Sequence, residues 1–223
     1  MSNLPAIASC PLPNSEKPGW MSRHQQKLQD IKRIGDKIRL VFIGDSIIEG
    51  WETKALSNWQ KAFSHYGPLN LGFGGDRTEH VLWRLNNGEL SGYTAHAIVL
   101  LIGTNNTGHR QDPADQTAAA ISDIINTIQN QQPHAHIILH SLLPRAKRPT
   151  HRLRQLNESI NALIAPLADN PCISWKNINH LFLDDTGLML DGVMDDYLHP
   201  NAEQYPRWAN ELLPDIDELI ETQ

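Results

Sequence analysis

The chain has 223 residues, of which 40% are hydrophobic and 20% are charged, and its formal net charge is −6. This composition is typical of a globular protein, and the length fits one domain with ordinary loops. A negative net charge gives no general attraction to nucleic acid, and no segment approaches the ~20 apolar residues of a membrane-spanning helix. We therefore expect no nucleic-acid partner and no integral membrane association.

The N-terminal segment differs from the rest of the chain, because residues 1–19 contain four prolines and no periodic pattern. They are predicted to form an extended arm, and residues 20–223 a single domain. The sequence before Cys10 resembles a lipoprotein cleavage site, but the apolar stretch is short and no positively charged segment precedes it. Two cysteines are too few for a disulfide framework. A cytoplasmic location is therefore the expectation, with lipidation of Cys10 the less favoured alternative.

Short apolar runs alternate along the chain with segments of helical periodicity. A first helix is predicted near Ser22, because Ser22 and Gln25 resemble a capping box. The predicted strands are 38–43, 68–71, 97–102, 137–140 and 172–175. The predicted helices are 51–63, 76–85, one opening at Asp112-Pro113, 153–167 and one from Asn201. This alternation predicts an α/β fold, in which a parallel sheet has helices on both faces.

In sheets of this kind, ligands bind beyond the carboxyl ends of the strands. Ser46, the glycine pair at 74–75, Asn105 and His140 each lie at or just after the end of a predicted strand. We therefore expect these four positions to converge on one edge of the sheet, and any chemistry to take place there.

Two motifs at opposite ends of the chain carry a possible nucleophile and base. Ser46 stands in a Gly-Asp-Ser turn before a helix, although Ile48 occupies the position at which an α/β-hydrolase elbow has glycine. Asp196 precedes His199 by three residues, so its carboxylate can bind Nδ1 and leave Nε2 as a base. Alone, the serine is more often a helix cap and the histidine a structural or metal-binding residue.

Two further motifs offer hydrogen-bond donors. The glycine-rich segment 70–76 allows main-chain N–H groups to approach a ligand, but it lacks the spacing of nucleotide-binding loops. Asn105, in Gly-Thr-Asn-Asn, offers a side-chain amide that can donate to a developing oxyanion. Ordinary turn chemistry explains either motif equally well when it is considered alone.

Together, the blocks Gly-Asp-Ser, Gly-Gly-Asp, Gly-Thr-Asn-Asn and Asp-x-x-His resemble those of the SGNH (GDSL-like) hydrolases. The match is closest to the branch that contains the catalytic subunits of platelet-activating-factor acetylhydrolase, and it runs from about residue 38 to about residue 215. The resemblance implies a three-layer α/β/α sandwich with a five-stranded parallel sheet, the flavodoxin-like SGNH hydrolase fold. The chain departs from the family at Ile47, because the GDSL motif after which the family is named has leucine at this position.

The resemblance also implies a role for each matching position. Ser46 would be the nucleophile, and Asp196 and His199 would complete a catalytic triad. The oxyanion hole would consist of the N–H groups of Ser46 and Gly74 and the side chain of Asn105. A short acyl pocket would be lined by Ile47, Thr104 and Leu198.

These roles imply a serine esterase that hydrolyses short-chain, acetyl-type esters of a lipid or small molecule through an acyl-enzyme, with no metal and no cofactor. A carbohydrate O-acetylesterase is the alternative, and a non-catalytic binding domain on the same fold is less favoured. The expected partner is a small-molecule ester. Related subunits form dimers, so a homodimer is also an expectation.

Two other groups of residues have functional alternatives. A metal site on one strand would use His134, His136 and His140, but no carboxylate lies nearby at ligand spacing. A basic cluster lies within ten residues and consists of Arg145, Lys147, Arg148, Arg152 and Arg154. It is either a solvated helix start or a rim that attracts anionic substrates, and the sequence leaves both open.

Overall fold

The computed structural model describes residues 6–221, and its centre is a five-stranded sheet. Every pairing is parallel, in the order β2-β1-β3-β4-β5. The strands are β1 Leu40–Gly44, β2 Pro68–Gly72, β3 Ala97–Leu101, β4 His136–His140 and β5 Ile173–Lys176. All five predicted strands are present, each within two residues of its expected start.

Seven α-helices cover the two faces of this sheet. They are α1 Trp20–Ile34, α2 Ser46–Thr53, α3 Leu56–Phe63, α4 Thr78–Arg84, α5 Ala114–Gln131, α6 Arg152–Ile164 and α7 Gln204–Glu221. One face packs against α1, α4, α5 and α6, and the other against α2, α3 and α7. The predicted three-layer α/β/α sandwich is therefore confirmed.

The strand side chains divide between these two cores. In β1, Val41 and Ile43 belong to one core, whereas Leu40 and Phe42 belong to the other. Because both faces of the sheet are covered, the strands read as nearly continuous apolar runs rather than as an alternation of apolar and polar residues.

Several helix boundaries differ from the prediction by one to three residues, and α7 begins at Gln204 rather than at Asn201. The first helix begins at Trp20 rather than near Ser22, because the buried Trp20 side chain donates to Asp76 at 2.6 Å and this tertiary contact outweighs the local capping pattern. The predicted helix 51–63 is two helices, which are separated at the non-helical backbone of Ala55. The first of them, α2, already begins at Ser46.

The N-terminal arm packs against the domain over the part that the structure describes. Ala8 is buried, and its carbonyl accepts a hydrogen bond of 2.9 Å from the Thr78 hydroxyl. The Lys17 ammonium donates to a main-chain carbonyl of the glycine-rich loop that follows β2. Residues 1–5 of the predicted arm lie outside the described residues.

Between residues 6 and 221, no helix combines the length and the apolar character that crossing a bilayer requires.

A buried network of charged groups connects α1 and α4 to the loop after β2. Arg84 donates to Asp76 at 2.8 Å and also to Glu89, while Glu89 contacts His24 at 2.8 Å. Burial raises the pKa of Asp76 to about 6, although Arg84 and the Trp20 indole oppose this shift. With both carboxylates paired to one guanidinium, the network fixes the loop that carries Gly74 and Asp76.

The turn from β1 into α2 requires glycine at position 44. A Cβ there would lie 2.2 Å from the carbonyl oxygen of Leu101 and 2.5 Å from Ile48. We expect Gly44→Ala to lower the free energy of unfolding by about 3 kcal/mol, because a backbone atom must move. The matched control is Gly19→Ala, where no atom lies within 4 Å and only the left-handed backbone is disfavoured, at a cost of about 1 kcal/mol. Urea denaturation measures both, and an equal loss in the two variants would contradict this account.

Candidate active site

Ser46 lies at the carboxyl edge of the sheet, as the first residue of α2. The helix begins there because the Asp45 carboxylate accepts a hydrogen bond of 2.9 Å from the N–H of Ile47 and so caps it. The N–H of Ser46, in the first turn, has no acceptor within the helix. This position gives the half-buried hydroxyl a main-chain donor and the positive end of a helix dipole beside it.

A chain of hydrogen bonds joins Ser46 to His199 and Asp196, which lie near the other end of the sequence. Ser46 Oγ is 2.8 Å from His199 Nε2, and His199 Nδ1 is 2.6 Å from Asp196 Oδ2. With the proton assigned to Nδ1, the imidazole donates to Asp196 and accepts from Ser46. This is the arrangement in which a histidine can take the proton of a serine.

Asp196 is held as a carboxylate. Its second oxygen accepts from the N–H groups of Leu198 at 3.0 Å and His199 at 2.8 Å. Partial burial would raise the pKa of Asp196, but the hydrogen bonds from His199 and Leu198 more than offset it and the pKa is lowered. The acid is therefore ionised and keeps the imidazole in one orientation.

The turn that carries the acid and the base has an unusual backbone. Tyr197 has a φ of +56°, which is uncommon for a residue other than glycine and costs of order 1–3 kcal/mol. Its carbonyl accepts a hydrogen bond of 2.9 Å from Ala146, which also has a positive φ. The loop around Ala146 thus holds the turn in which Asp196 and His199 stand three residues apart.

Asn105 follows β3 and is buried beside this edge. Its Nδ2 donates to the carbonyl of Asp76 at 2.9 Å. Because an amide nitrogen carries two hydrogens, this bond orients the side chain and leaves a second donor.

The N–H of Gly74 was expected to be available to a ligand, but it is already hydrogen-bonded within the protein. This N–H donates to Glu49 Oε2 at 2.6 Å, and the Gly74 carbonyl accepts from the Lys17 ammonium. A Cβ at this position would lie 2.4 Å from the Lys17 nitrogen and 2.7 Å from a Glu49 oxygen, so a larger residue would displace the ends of these two side chains. The N–H of Gly74 can reach an oxyanion only as a donor shared with Glu49 or after Glu49 has moved.

The three positions of the expected acyl pocket lie in different environments. Ile47 is buried in the core beneath α2, and Thr104 is buried with its hydroxyl 3.3 Å from the Arg145 guanidinium. Leu198 is half-buried and lines a cavity of about 820 Å³, whose walls do not include Ile47 or Thr104.

The sequence did not single out Glu49 or assign Arg145 a role at this edge. Arg145 donates to the carbonyl of Thr104 at 2.7 Å. It also lies close enough to Asp45 and Asp196 for their charges to oppose the lowering of its pKa by burial. The signal for Glu49 was its place in the first turn of α2, where an acid suits the helix dipole. Arg145 stood in the string Leu-Pro-Arg, which supported the family resemblance without indicating a contact.

Asp45 combines complete burial with an incomplete set of hydrogen bonds. One carboxyl oxygen caps α2, and the other has no partner among residues 6–221. Burial raises the pKa of Asp45 to about 7, and the bond from Ile47 is the largest effect that opposes it. This buried acid stands directly before Ser46 in the chain.

His140 does not join this group, which corrects the expectation that it would. It lies at the end of β4, but Trp208 of α7 donates to its Nε2 at 3.0 Å, and burial lowers its pKa to about 3. Its side chain belongs to the core between the sheet and α7. In the part of the chain that the structure describes, no group of three or more His, Cys, Asp or Glu side chains could hold a metal ion.

Comparison with known proteins gives relatives over most of the chain. The subunit alpha1 of platelet-activating factor acetylhydrolase IB from Homo sapiens is 37% identical over 203 residues, covering 89% of this chain and 84% of that protein. The alpha2 subunit from Gallus gallus is 35% identical over 203 residues, covering 91% and 85%.

Solved structures share the fold at lower identity. A GDSL-like lipase from Bacteroides thetaiotaomicron superposes with a TM-score of 0.67 at 23% identity, covering 90% of this chain and 97% of its own. An acetylxylan esterase from Geobacillus stearothermophilus gives a TM-score of 0.65 at 16% identity, covering 82% and 95%. Residues 42–207 match the model of the GDSL-like Lipase/Acylhydrolase family. The chain therefore belongs to this family of acylhydrolases.

Proposed function

We propose that the protein is a serine esterase that hydrolyses short-chain, acetyl-type esters through an acyl-enzyme. The observation that carries the proposal is the hydrogen-bonded chain from Ser46 through His199 to Asp196, with distances of 2.8 and 2.6 Å. Membership of an acylhydrolase family supports the reaction class.

The reaction has two symmetrical halves. His199 takes the Ser46 proton as the hydroxyl attacks the ester carbonyl, and it returns that proton to the departing alcohol. Water then attacks the acyl-enzyme, and His199 again serves first as the base and then as the acid. Asp196 remains ionised and stabilises the imidazolium that forms in each half.

Three donors at the strand ends form the proposed oxyanion hole. Among residues 6–221, no acceptor is bonded to the N–H of Ser46 or to the second amide hydrogen of Asn105, so both can donate to a tetrahedral oxyanion. The N–H of Gly74 completes the set when the oxyanion takes the place of the Glu49 carboxylate.

A lipid or small-molecule acetyl ester is the proposed substrate. The relatives above 30% identity are named for acetyl-ester hydrolysis of platelet-activating factor, which supports a short acyl group. A carbohydrate O-acetylesterase is the alternative, supported by the acetylxylan esterase neighbour, which at 16% identity shares the fold alone. A non-catalytic binding domain is less favoured, because such a protein has no need of the Ser46–His199 hydrogen bond. A homodimer and a cytoplasmic location remain predictions from the sequence.

The acyl preference is tested with p-nitrophenyl acetate, butyrate and octanoate. We expect kcat/KM to fall as the acyl chain lengthens, because the relatives above 30% identity are named acetylhydrolases and so favour a short acyl group. Ser46→Ala should reduce turnover to the background rate on every ester. Turnover that persists in Ser46→Ala, or that rises with chain length, would contradict the proposal.

Asn105 and its neighbour Asn106 provide a matched pair. Asn105→Ala should lower kcat by about 100- to 1000-fold, the usual effect of losing one oxyanion donor, while stability falls by about 1 kcal/mol. Asn106 is fully buried and bonds Thr78 and Asp112 instead. Asn106→Ala should therefore lower the free energy of unfolding by about 2–3 kcal/mol and change kcat only a few-fold.

Steady-state kinetics and urea denaturation of both variants separate the two effects. If Asn105→Ala kept near-normal kcat, Asn105 would not be an oxyanion donor.

A further inference from the structure

The N-terminal arm brings a lysine to the loop that carries Gly74, and the proposed reaction assigns this lysine no part. The Lys17 ammonium donates to the carbonyl of Gly74, while the N–H of the same glycine donates to Glu49 at 2.6 Å. The match to the family model begins at residue 42, so Lys17 lies outside the matched segment. The contact is therefore a feature of the arm of this chain.

Lys17 and Glu49 both lie beside the nucleophile. The position that a Cβ on Gly74 would take shows this, because the three atoms nearest to it are the Lys17 nitrogen, a Glu49 oxygen and, at 3.7 Å, Ser46 Cβ. The two side chains thus flank the glycine whose N–H is the third proposed oxyanion donor. Their charges act close to the place where the charge of the reaction develops.

The arm is fixed to the domain on both sides of Lys17. Before it, the N–H of Leu12 donates to the carbonyl of Glu79 at 3.2 Å, and after it, the Trp20 indole donates to Asp76 at 2.6 Å. Neither contact involves the lysine side chain. A substitution of Lys17 therefore removes one ammonium and leaves these anchors in place.

Glu49 has cations and space beside its present position. Its other oxygen forms an ion pair with Arg23, at 3.6 Å from the guanidinium. A cavity of about 250 Å³ is bordered by Lys17, Arg23, Glu49 and Gly74. The carboxylate can therefore leave the N–H of Gly74 and remain between two cations.

A developing oxyanion competes with Glu49 for the N–H of Gly74. One N–H cannot make a short, linear hydrogen bond to both, and two negative charges at the same donor repel each other. Lys17 is the cation better placed to draw Glu49 away. Across residues 6–221 the sole hydrogen bond of its ammonium is to Gly74, which leaves two of its three donors, whereas Arg23 already bonds Glu52 at 2.8 Å.

We propose that Lys17 is a positioning residue of the oxyanion hole. Its ammonium receives the Glu49 carboxylate as the oxyanion takes over the N–H of Gly74. Lys17 thus acts through Glu49 and does not touch the ester. The inference rests on the proposed function, because it explains how the third oxyanion donor becomes available, and it gives the N-terminal arm a part in the reaction.

A structural clamp on the loop is the alternative role for Lys17. A clamp would support Gly74 equally well whether or not residue 49 carried a charge. The proposed role instead ties the effect of Lys17 to the charge of Glu49. A double-mutant cycle separates the two, because it measures whether the two substitutions act independently.

The cycle combines Lys17→Met, which removes the cation, with Glu49→Gln, which removes the negative charge and keeps an acceptor for Gly74. Lys17 is exposed, so we expect Lys17→Met to lower kcat for p-nitrophenyl acetate about tenfold, less than the loss of a whole oxyanion donor. KM should change less than about threefold, because the effect belongs to the transition state.

In the Glu49→Gln background, Lys17→Met should lower kcat less than about twofold, because no carboxylate is left to draw away. An equal loss in both backgrounds would overturn the proposal in favour of the clamp.

Two further variants serve as controls for the charge of Lys17. Lys17→Arg keeps a cation and should restore kcat to within about threefold of the wild type. Lys32→Gln removes an exposed lysine of α1 that forms no hydrogen bond or ion pair among residues 6–221, and it should leave kcat unchanged. A loss in Lys17→Arg as deep as that in Lys17→Met, or a similar loss in Lys32→Gln, would contradict the proposed role.

Methylboronic acid tests the oxyanion hole without an ester. The Ser46 oxygen bonds to boron, the serine proton passes to His199, and the adduct is a tetrahedral anion with a hydroxyl group in the oxyanion hole. Calorimetric titration should show binding about tenfold weaker in Lys17→Met, and less than about twofold weaker when Glu49→Gln is also present.

The two experiments together separate this inference from the proposed function. If the wild type cleaved no ester but the boronate bound with this pattern, the esterase proposal would fail and the role of Lys17 would stand. If esters were cleaved and neither kcat nor boronate binding responded to Lys17→Met, the role of Lys17 would fall and the esterase proposal would stand.

Discussion

The direct passage of the central strand β1 into α2 is the constraint on which the rest of this site depends. Gly44 leaves room for both the Leu101 carbonyl of β3 and the Ile48 side chain of α2, and Asp45 caps α2 at once, so that Ser46 stands at the carboxyl edge of the sheet. The other strands end at the same edge because all pairings are parallel. One close backbone approach thus sets the position to which Asn105 and His199 are brought.

The base reaches this edge from the opposite end of the chain, 153 residues beyond Ser46. Its turn is held in a strained backbone by the loop after β4, through the hydrogen bond between Ala146 and Tyr197. The same loop also borders the cavity that Leu198 lines.

Much of the fold and part of the site follow from the sequence in physical terms. Apolar runs and strand–helix alternation predict the sheet, in which Ser46 and Asn105 follow the neighbouring strands β1 and β3. His140 satisfies the same rule yet lies in the core, because its position depends on Trp208 of α7, which no local pattern reveals. The hydrogen bond between Gly74 and Glu49 could not be predicted from the sequence either, because the two residues meet only after α2 has packed beside the loop that follows β2.

The most direct test of the central claim is to trap the acyl-enzyme. The protein is mixed with p-nitrophenyl acetate, quenched with acid at intervals of milliseconds to seconds, and digested for peptide mass spectrometry. The account predicts one acetyl group on the peptide that contains Ser46, which accumulates and then declines as substrate is consumed. An acetyl group on a different residue, or turnover with no acetylated peptide at any time, would contradict a mechanism in which Ser46 is the nucleophile.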